Sequence, residues 1–161
     1  MYTVGIVTLS DQGYRGERED LSGPRIRELL TCDYEVISYS ILPDDRALIR
    51  DELIRLSDEA GCDLVLTTGG TGMSPRDVTP EATMDAADRN APGIAEALRN
   101  HSMQYTDRAM LGRGASAIRK QTLIINLPGS VKAVTESMEY LMGRIEHGLD
   151  ILLQNEGECG R

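Results

Sequence analysis

A glycine-rich run is the segment of this chain best suited to bind an anion. It follows the apolar residues 64–66, which are typical of a buried strand. Glycines let the backbone approach an anion closely, and backbone N–H groups can then point at its charge. The run has the spacing of neither a P-loop nor a dinucleotide fingerprint, so by itself it predicts either a phosphate cradle or a tight strand-to-loop turn. Its residues are Thr68, Gly69, Gly70, Thr71 and Gly72.

Charged residues near this run favour phosphate chemistry. Arg76 suits phosphate recognition because a guanidinium group forms paired hydrogen bonds, and Asp77 offers a carboxylate to a divalent cation. An aspartate between a strand and a helix is an ordinary N-cap, but Asp45 can fill that role and leave Asp44 free to face a pocket. Two carboxylates that face phosphates suggest magnesium binding or proton transfer in phosphoryl or nucleotidyl transfer.

Other polar residues have ordinary structural interpretations. Asp11 and Asp20 are weaker candidates that suit loop positions, and Ser22 suits a helix cap better than a catalytic role. His101 and His147 are far apart in the sequence and have no orienting aspartate pattern, so they suit surface or packing positions. Neither a Ser-His-Asp triad nor a nucleophilic cysteine is indicated.

Alternating strands and helices are expected to position these residues. The hydrophobic pattern predicts strands over 2–9, 34–42, 63–67 and 121–126. It predicts helices over 22–30, between Asp45 and Gly61, over 80–87 and 94–103, and from 134 to 152, with Gly143 dividing or kinking the last. Residues 105–117 carry no clear pattern. We therefore predict a single-domain α/β fold over residues 1–154, a mostly parallel β-sheet with helices on both faces, and a polar tail over 155–161.

Such a sheet brings the predicted functional residues to one edge. The carboxyl ends of parallel strands lie along the same edge, and ligands of open α/β folds bind there. Each of the four predicted strand ends is polar or contains glycine, as a shared pocket requires. These ends are Ser10 with Asp11, Pro43 with Asp44 and Asp45, the glycine-rich run, and the turn formed by Pro128, Gly129 and Ser130.

Composition argues against nucleic-acid-binding and membrane-spanning classes of protein. The 26 acidic and 17 basic residues give a net charge of −9, which argues against a nucleic-acid partner. Cys32, Cys62 and Cys159 are odd in number and widely spaced, which favours a reducing compartment. The sequence shows no signal-peptide pattern and no run long enough to span a membrane, so we expect a cytoplasmic protein with no membrane partner.

Longer motifs follow one another along nearly the whole chain. They cover residues 5–11, 20–23, 42–44, 66–72, 76–83, 91–93, 118–119 and 123–130. Together these motifs resemble the MogA/MoaB family of molybdenum-cofactor biosynthesis proteins. Their length and order make a chance match improbable.

The resemblance implies a molybdopterin-binding fold, a homotrimer and a nucleotidyltransferase that uses ATP and molybdopterin with Mg²⁺. It implies that Asp44 and Asp77 are the required aspartates, as catalytic residues and metal ligands. Residues 69–72 would then cradle phosphate and pterin, and the adenylylated product would pass to a MoeA-like metal-insertion protein. Thr68 and Arg76 would also contact substrate, and the implied pocket-lining residues are Ser10, Asp11, Ser22, Pro128, Gly129 and Ser130.

Residues 76–82 indicate the branch within the family. This segment is similar to the adenylyltransferase branch, whereas the MoaB branch often departs there. The chain continues from Ser130 straight into the C-terminal helix, which matches the gephyrin G domain and MoaB equally. A non-catalytic, MoaB-like molybdopterin-binding or scaffold protein is the alternative, and a general nucleotide-phosphate hydrolase is a third and weaker one.

Overall fold

A single six-stranded sheet organises the chain in a computed structural model that describes residues 1–154. The predicted tail over 155–161 and Cys159 lie outside the described residues. The strands are β1 (Tyr2–Leu9), β2 (Tyr34–Leu42), β3 (Leu64–Thr68), β4 (Arg89–Asn90), β5 (Ser116–Arg119) and β6 (Thr122–Leu127). Their order in the sheet is β2-β1-β3-β6-β5-β4.

Helices fill the connections between these strands. They are α1 (Asp11–Tyr14), α2 (Ser22–Leu29), α3 (Arg46–Asp58), α4 (Thr79–Ala86), α5 (Pro92–Ser102), α6 (Val131–Leu141) and α7 (Glu146–Leu152), with a 3₁₀ helix over Asp107–Leu111. Gly143, at φ 82°, separates α6 from α7, as its position in the sequence predicted. Within residues 1–154, no helix combines the length and the apolar character needed to cross a membrane.

The mostly parallel sheet confirms the predicted fold class. Strands β2, β1, β3 and β6 run parallel, so their carboxyl ends meet at one edge. Strand β5 is antiparallel to both β6 and β4. Neither β4 nor β5 was predicted, because strands of two and four residues are too short to show an alternating pattern.

Each face of the sheet packs against its own layer of helices. On one face, Ile6 and Ile125 pack in a buried cluster with Met138 of α6. On the other, Val65 packs in a second buried cluster with Leu53 of α3. Burial of each such side chain stabilises the fold by about 1.5–3 kcal/mol. The two layers hold the central strands rigidly, and the carboxyl edge of the sheet is left open between them.

The start of α2 differs from the prediction that Ser22 caps it. The N-cap residue is Leu21, which has no capping side chain. The carboxylate of Asp20 takes that role, since its Oδ1 accepts hydrogen bonds from the backbone N–H groups of Ser22 and Gly23 at 3.1 and 3.2 Å. The hydroxyl of Ser22 is therefore available for a contact elsewhere.

Asn126 joins the elements that carry the carboxyl edge of the sheet. Its buried side-chain amide donates to the hydroxyls of Thr67 on β3 and Thr83 on α4 at 3.0 and 2.9 Å. Its Oδ1 accepts from the backbone N–H of Ala115, just before β5, at 3.0 Å. One side chain thus fixes β3, α4 and the β5 approach relative to β6.

We expect Asn126→Ala to lower the free energy of unfolding by about 1–3 kcal/mol, because it leaves buried polar partners unsatisfied. Urea denaturation followed by circular dichroism measures this loss. Asn100→Ala, on the exposed face of α5, is the control and should change stability little. Equal stabilities for the two variants would contradict this role for Asn126.

Candidate active site

A cleft of about 460 Å³ opens at the carboxyl ends of β1, β3 and β6. Three of the four predicted strand ends contribute to its wall, and so does the start of α2. The predicted site residues that line it are Ser10, Ser22, Thr68, Gly69, Gly129 and Ser130. The strand ends meet because the parallel register of the central sheet brings Thr8, Thr68 and Leu127 level with one another.

The turn after β3 requires glycine at two successive positions. Gly69 and Gly70 have φ values of 97° and 68°, in the left-handed region that favours glycine. A Cβ on Gly69 would collide with the backbone carbonyl oxygen of Leu9, and one on Gly70 with the hydroxyl of Thr79. A Cβ on Gly129 would lie only 3.4 Å from the Cα of Gly69, so the two glycine turns are in contact.

Hydroxyl groups hold these turns in place. Thr68 donates to the carbonyl of Pro128 at 2.7 Å, and Ser22 donates to the carbonyl of Gly129 at 2.8 Å. Thr79, the first residue of α4, donates to the carbonyl of Gly69 at 3.0 Å. Turn carbonyls are satisfied in this way, which fixes the peptide planes that border the cleft.

Asp44 is held beside the glycine turn with one oxygen unpartnered. Of the two aspartates that could cap α3, Asp45 does so by accepting from the N–H of Leu48 at 2.9 Å, so Asp44 is not needed as a cap. Asp44 Oδ2 accepts from the backbone N–H of Asp11 at 3.3 Å. Its Oδ1 is buried and has no hydrogen-bond partner among residues 1–154, and a Cβ on Gly70 would lie 3.0 Å from it. A buried carboxylate oxygen left in this state is suited to receive a ligand.

Arg76 and Asp11 form an ion pair next to Asp44. The guanidinium group donates to the two Asp11 oxygens at 3.0 and 2.9 Å, which lowers the pKa of that carboxyl. The backbone N–H of Asp44 also donates to Asp11, at 3.0 Å, and lowers its pKa further. The pair links the loop after β3 to the ends of β1 and β2.

The pKa of Asp44 is raised, chiefly because burial disfavours its charged form. The negative charges of Asp11 and Asp77 raise it further. The ionised form of Asp44 is therefore disfavoured by its surroundings, and a bound cation would stabilise it.

Asp77 lies at the other end of the same glycine turn. Its Oδ2 accepts from the backbone N–H of Ser74 at 3.0 Å, and a Cβ on Gly72 would lie 2.8 Å from this oxygen. Asp44 therefore borders the turn at Gly70 and Asp77 borders it at Gly72. The two carboxylates are brought together although 33 residues separate them in the sequence.

The carboxylates suit a magnesium ion that is shared with a phosphate ligand. Within residues 1–154, no cluster of three or more His, Cys, Asp or Glu side chains could hold a metal ion by itself. Mg²⁺ is commonly bound by one or two carboxylates together with substrate phosphates and water. The unpartnered oxygen of Asp44, with Asp77 close by, fits that type of site.

Some predicted residues lie away from the cleft wall. Asp11, Asp44, Gly70, Gly72, Arg76 and Asp77 form the adjoining group described above rather than the cleft lining. Thr71 and Pro128 line a separate, largely apolar cavity of about 250 Å³ between α5 and α6. The predicted residues thus divide among three places: the cleft wall, the adjoining group around Asp44 and Asp77, and the apolar cavity.

Two residues of the site were missed or underrated from sequence. Asp20 lines the cleft, and besides its α2 contacts it accepts hydrogen bonds from the hydroxyls of Thr8 and Tyr39. Arg113 donates to the carbonyls of Gly72 and Asp77, both at 2.7 Å. Arg113 precedes β5 in the segment that lacked a clear pattern, so no local signal pointed to it.

The fold and the site define an α/β protein with a glycine-lined cleft and two adjoining carboxylates at the carboxyl edge of its sheet. Residues 5–147 match the family described as a probable molybdopterin binding domain, and the chain belongs to that family. The resemblance noted in the sequence is thereby confirmed.

Relatives and solved structures agree with this membership. The molybdopterin adenylyltransferase of Helicobacter pylori strain J99 is 42% identical over 156 residues, which cover 94% of this chain and 88% of the relative. The Escherichia coli K12 protein of the same name is 42% identical over 139 residues, covering 84% and 71%. The structure of the molybdopterin biosynthesis enzyme MoaB from Thermus thermophilus is 44% identical with a TM-score of 0.90, covering 96% of this chain and 98% of that one.

We expect Asp44→Asn to raise Tm at pH 7 above that of the wild-type protein, because the variant has no buried charge at this position. The pKa of Asp44 is raised on folding, so its ionised form disfavours the folded state above that pKa. As the pH falls through this pKa, the wild-type side chain becomes neutral and the advantage of the variant disappears.

Differential scanning calorimetry between pH 7 and about pH 4, near the ordinary pKa of an aspartate, tests this expectation. Asp45→Asn is the matched control, since asparagine caps helices as well as aspartate does. A variant at Asp44 with the wild-type Tm throughout this range would show that burial of the charge has no energetic consequence.

Proposed function

We propose that this protein is a molybdopterin adenylyltransferase, which transfers AMP from ATP to molybdopterin and releases pyrophosphate. The observation that carries the proposal is the pair of carboxylates at the glycine turn, in a chain 42% identical over 94% of its length to a protein of that name. Asp44 brings an unsatisfied oxygen to this turn, and Asp77 brings a second carboxylate. This arrangement suits a reaction between two phosphate groups.

In this reaction the terminal phosphate oxygen of molybdopterin forms a bond to the α-phosphorus of ATP. The bond between that phosphorus and the oxygen that bridges to the β-phosphate breaks, and pyrophosphate leaves with the electron pair. Both reactants are anionic, so the protein must hold them together against their repulsion. Catalysis then consists mainly of positioning and electrostatic stabilisation.

The residues of the site divide these tasks. Backbone N–H groups of residues 70–72 bind phosphate oxygens, because Gly70 and Gly72 leave room for close approach. The N–H of Gly69 donates to the carbonyl of Leu127 and holds the turn against the end of β6. Asp44 and Asp77 hold Mg²⁺, which when bound neutralises the charge that develops on the phosphates. Asp11 holds the backbone of Asp44, and Arg76 holds Asp11. The residues that line the cleft, including Ser10, Ser22 and Ser130, surround the bound substrate.

The proposal includes a homotrimer in the cytoplasm that passes its product to a MoeA-like metal-insertion protein. Exposed apolar side chains support a subunit or partner contact, because large apolar groups outside the core often mark interaction surfaces. Met73, Met110 and Leu111 are exposed by 68, 67 and 47%.

Light scattering after size-exclusion chromatography is expected to give three times the mass of one chain, and a monomer would contradict the trimer.

A pyrophosphate-release assay tests the activity. ATP and Mg²⁺ are supplied with and without molybdopterin, and the pterin product is analysed by mass spectrometry. An adenylyltransferase releases pyrophosphate only with molybdopterin and forms adenylylated molybdopterin. A non-catalytic MoaB-like binder or scaffold binds the pterin without release, and a nucleotide hydrolase breaks down ATP when no pterin is present. Either of these last two results would overturn the proposal.

We expect Asp77→Asn and Asp44→Asn each to lower kcat by about 100-fold, the loss typical of removing one electrostatic contact from a transition state. Dissociation constants for molybdopterin should change much less, because the cleft wall is intact in both variants. Steady-state kinetics and pterin fluorescence titration measure the two effects, and chelation of Mg²⁺ with EDTA should abolish wild-type turnover.

Asp51→Asn, on the exposed face of α3, is the matched control and should keep the wild-type kcat. Wild-type turnover in both site variants would show that the two aspartates do not have the proposed roles.

A further inference from the structure

We infer that Arg113 is a positioning residue that holds the glycine turn and Asp77 in the geometry needed for adenylyl transfer. The inference rests on the proposed function and adds to it a residue from a distant part of the chain. Arg113 lies between the 3₁₀ helix and β5, and its side chain is 35% exposed. It reaches back about forty residues in sequence to the loop that follows β3.

The guanidinium group of Arg113 contacts three different partners. Nε donates to the carbonyl of Gly72 at 2.7 Å, and one terminal nitrogen donates to the carbonyl of Asp77 at 2.7 Å. The other terminal nitrogen pairs with Glu81 in the first turn of α4 at 2.7 and 3.1 Å. The backbone N–H of Arg113 also donates, at 2.8 Å, to the carbonyl of Thr71. Every contact made by the side chain thus falls on the loop after β3 or on the helix that follows it.

These contacts close the loop between Gly72 and Asp77. Residues 73–76 within it are exposed in the single chain, so packing inside one subunit contributes little to its shape. The carbonyls at its two ends instead converge on one guanidinium plane. A fixed carbonyl fixes its whole peptide plane, and the carbonyl of Asp77 therefore helps to set the Cα from which the carboxylate projects. The position of that carboxylate beside Gly72 follows from this restraint.

The contribution of Arg113 is geometric more than electrostatic. Its positive charge is paired with Glu81, so little of that charge remains for a phosphate. A guanidinium group presents five N–H donors in a rigid plane and can bind partners in three directions at once. A lysine ammonium in its place offers a compact charge on a flexible stem and lacks this fork.

A second arginine provides a matched control. Arg119 donates to both oxygens of Asp58 at 3.0 and 2.7 Å and to the carbonyl of Ala86 at 2.9 Å. Its contacts are thus of the same kind as those of Arg113, with a carboxylate and a helix carbonyl. It lies opposite Thr122, at the start of β6, and therefore at the edge of the sheet away from the cleft. Loss of Arg119 tests general destabilisation without disturbing the site.

The kinetic arm compares Arg113→Ala, Arg113→Lys and Arg119→Ala with the wild-type protein in the pyrophosphate-release assay. We expect Arg113→Ala to lower kcat by about 100-fold, the loss that a displacement of about 1 Å can cause, with a smaller rise in KM. Arg113→Lys should recover only a minor part of this loss, and Arg119→Ala should lower Tm and keep the wild-type kcat. A wild-type kcat in Arg113→Ala, or full recovery in Arg113→Lys, would overturn the inference.

The structural arm measures hydrogen exchange of backbone amides without any substrate. In Arg113→Ala the amides of residues 72–79 should exchange faster, while those of α3 keep the wild-type rate. Unchanged exchange over 72–79 would overturn the inference independently of catalysis. If Arg113→Ala does not fold, Arg113→Lys is compared in both arms, because it retains the charge and most of the side-chain volume.

The two arms separate failure of the inference from failure of the proposed function. An inactive wild-type protein would refute the adenylyltransferase, and the exchange measurement would then decide alone whether Arg113 holds the loop. An active wild-type protein with no effect at Arg113 would refute the inference and leave the proposed function intact.

Discussion

The close approach of backbone segments at the end of β3 is the constraint on which the site depends. Gly69 lies against the carbonyl of Leu9 and against Gly129, and no residue with a Cβ can occupy its position without moving β1. Because the contact is between backbones, it brings three strand ends within reach of one ligand. The hydroxyls of Thr68, Ser22 and Thr79 then bind the carbonyls that this crowding would otherwise leave unsatisfied.

The second organising feature is a group of mutually repelling carboxylates at the same edge of the sheet. The chain carries nine more acidic than basic residues, and it places Asp11, Asp44 and Asp77 around one turn. Asp11 is neutralised by Arg76, whereas Asp44 keeps a buried oxygen without a partner. A buried, unpartnered carboxylate oxygen lowers the stability of the fold, and binding of a cation would restore that stability. We therefore expect this arrangement to be selected for function rather than for stability.

Local sequence patterns predicted the central elements closely. The strand bounds of β1 and β2 agree with the prediction, and those of β3 and β6 differ by one residue at each end. The sequence also indicated that either Asp44 or Asp45 caps α3, because a cap acts within one turn of its own helix, and the structure assigns the role to Asp45. The prediction was wrong about the cap of α2, and it did not include the short helix α1, the 3₁₀ helix, the short strands β4 and β5, or the contacts of Arg113. Each depends on partners outside the local window, or on elements too short to show a period.

The sequence by itself determined which polar and glycine residues follow the strands, and that these residues lie at the carboxyl edge of the sheet. Apolar periodicity defines the parallel strands, and glycines after a strand specify a turn that other residues cannot adopt. Only the tertiary structure decided which side chains meet there: that Asp44 faces Gly70, that Ser22 binds Gly129, and that Arg113 closes the loop to Asp77. These contacts join residues 26 to 107 positions apart, and their geometry is fixed by strand register and helix packing that no local pattern encodes.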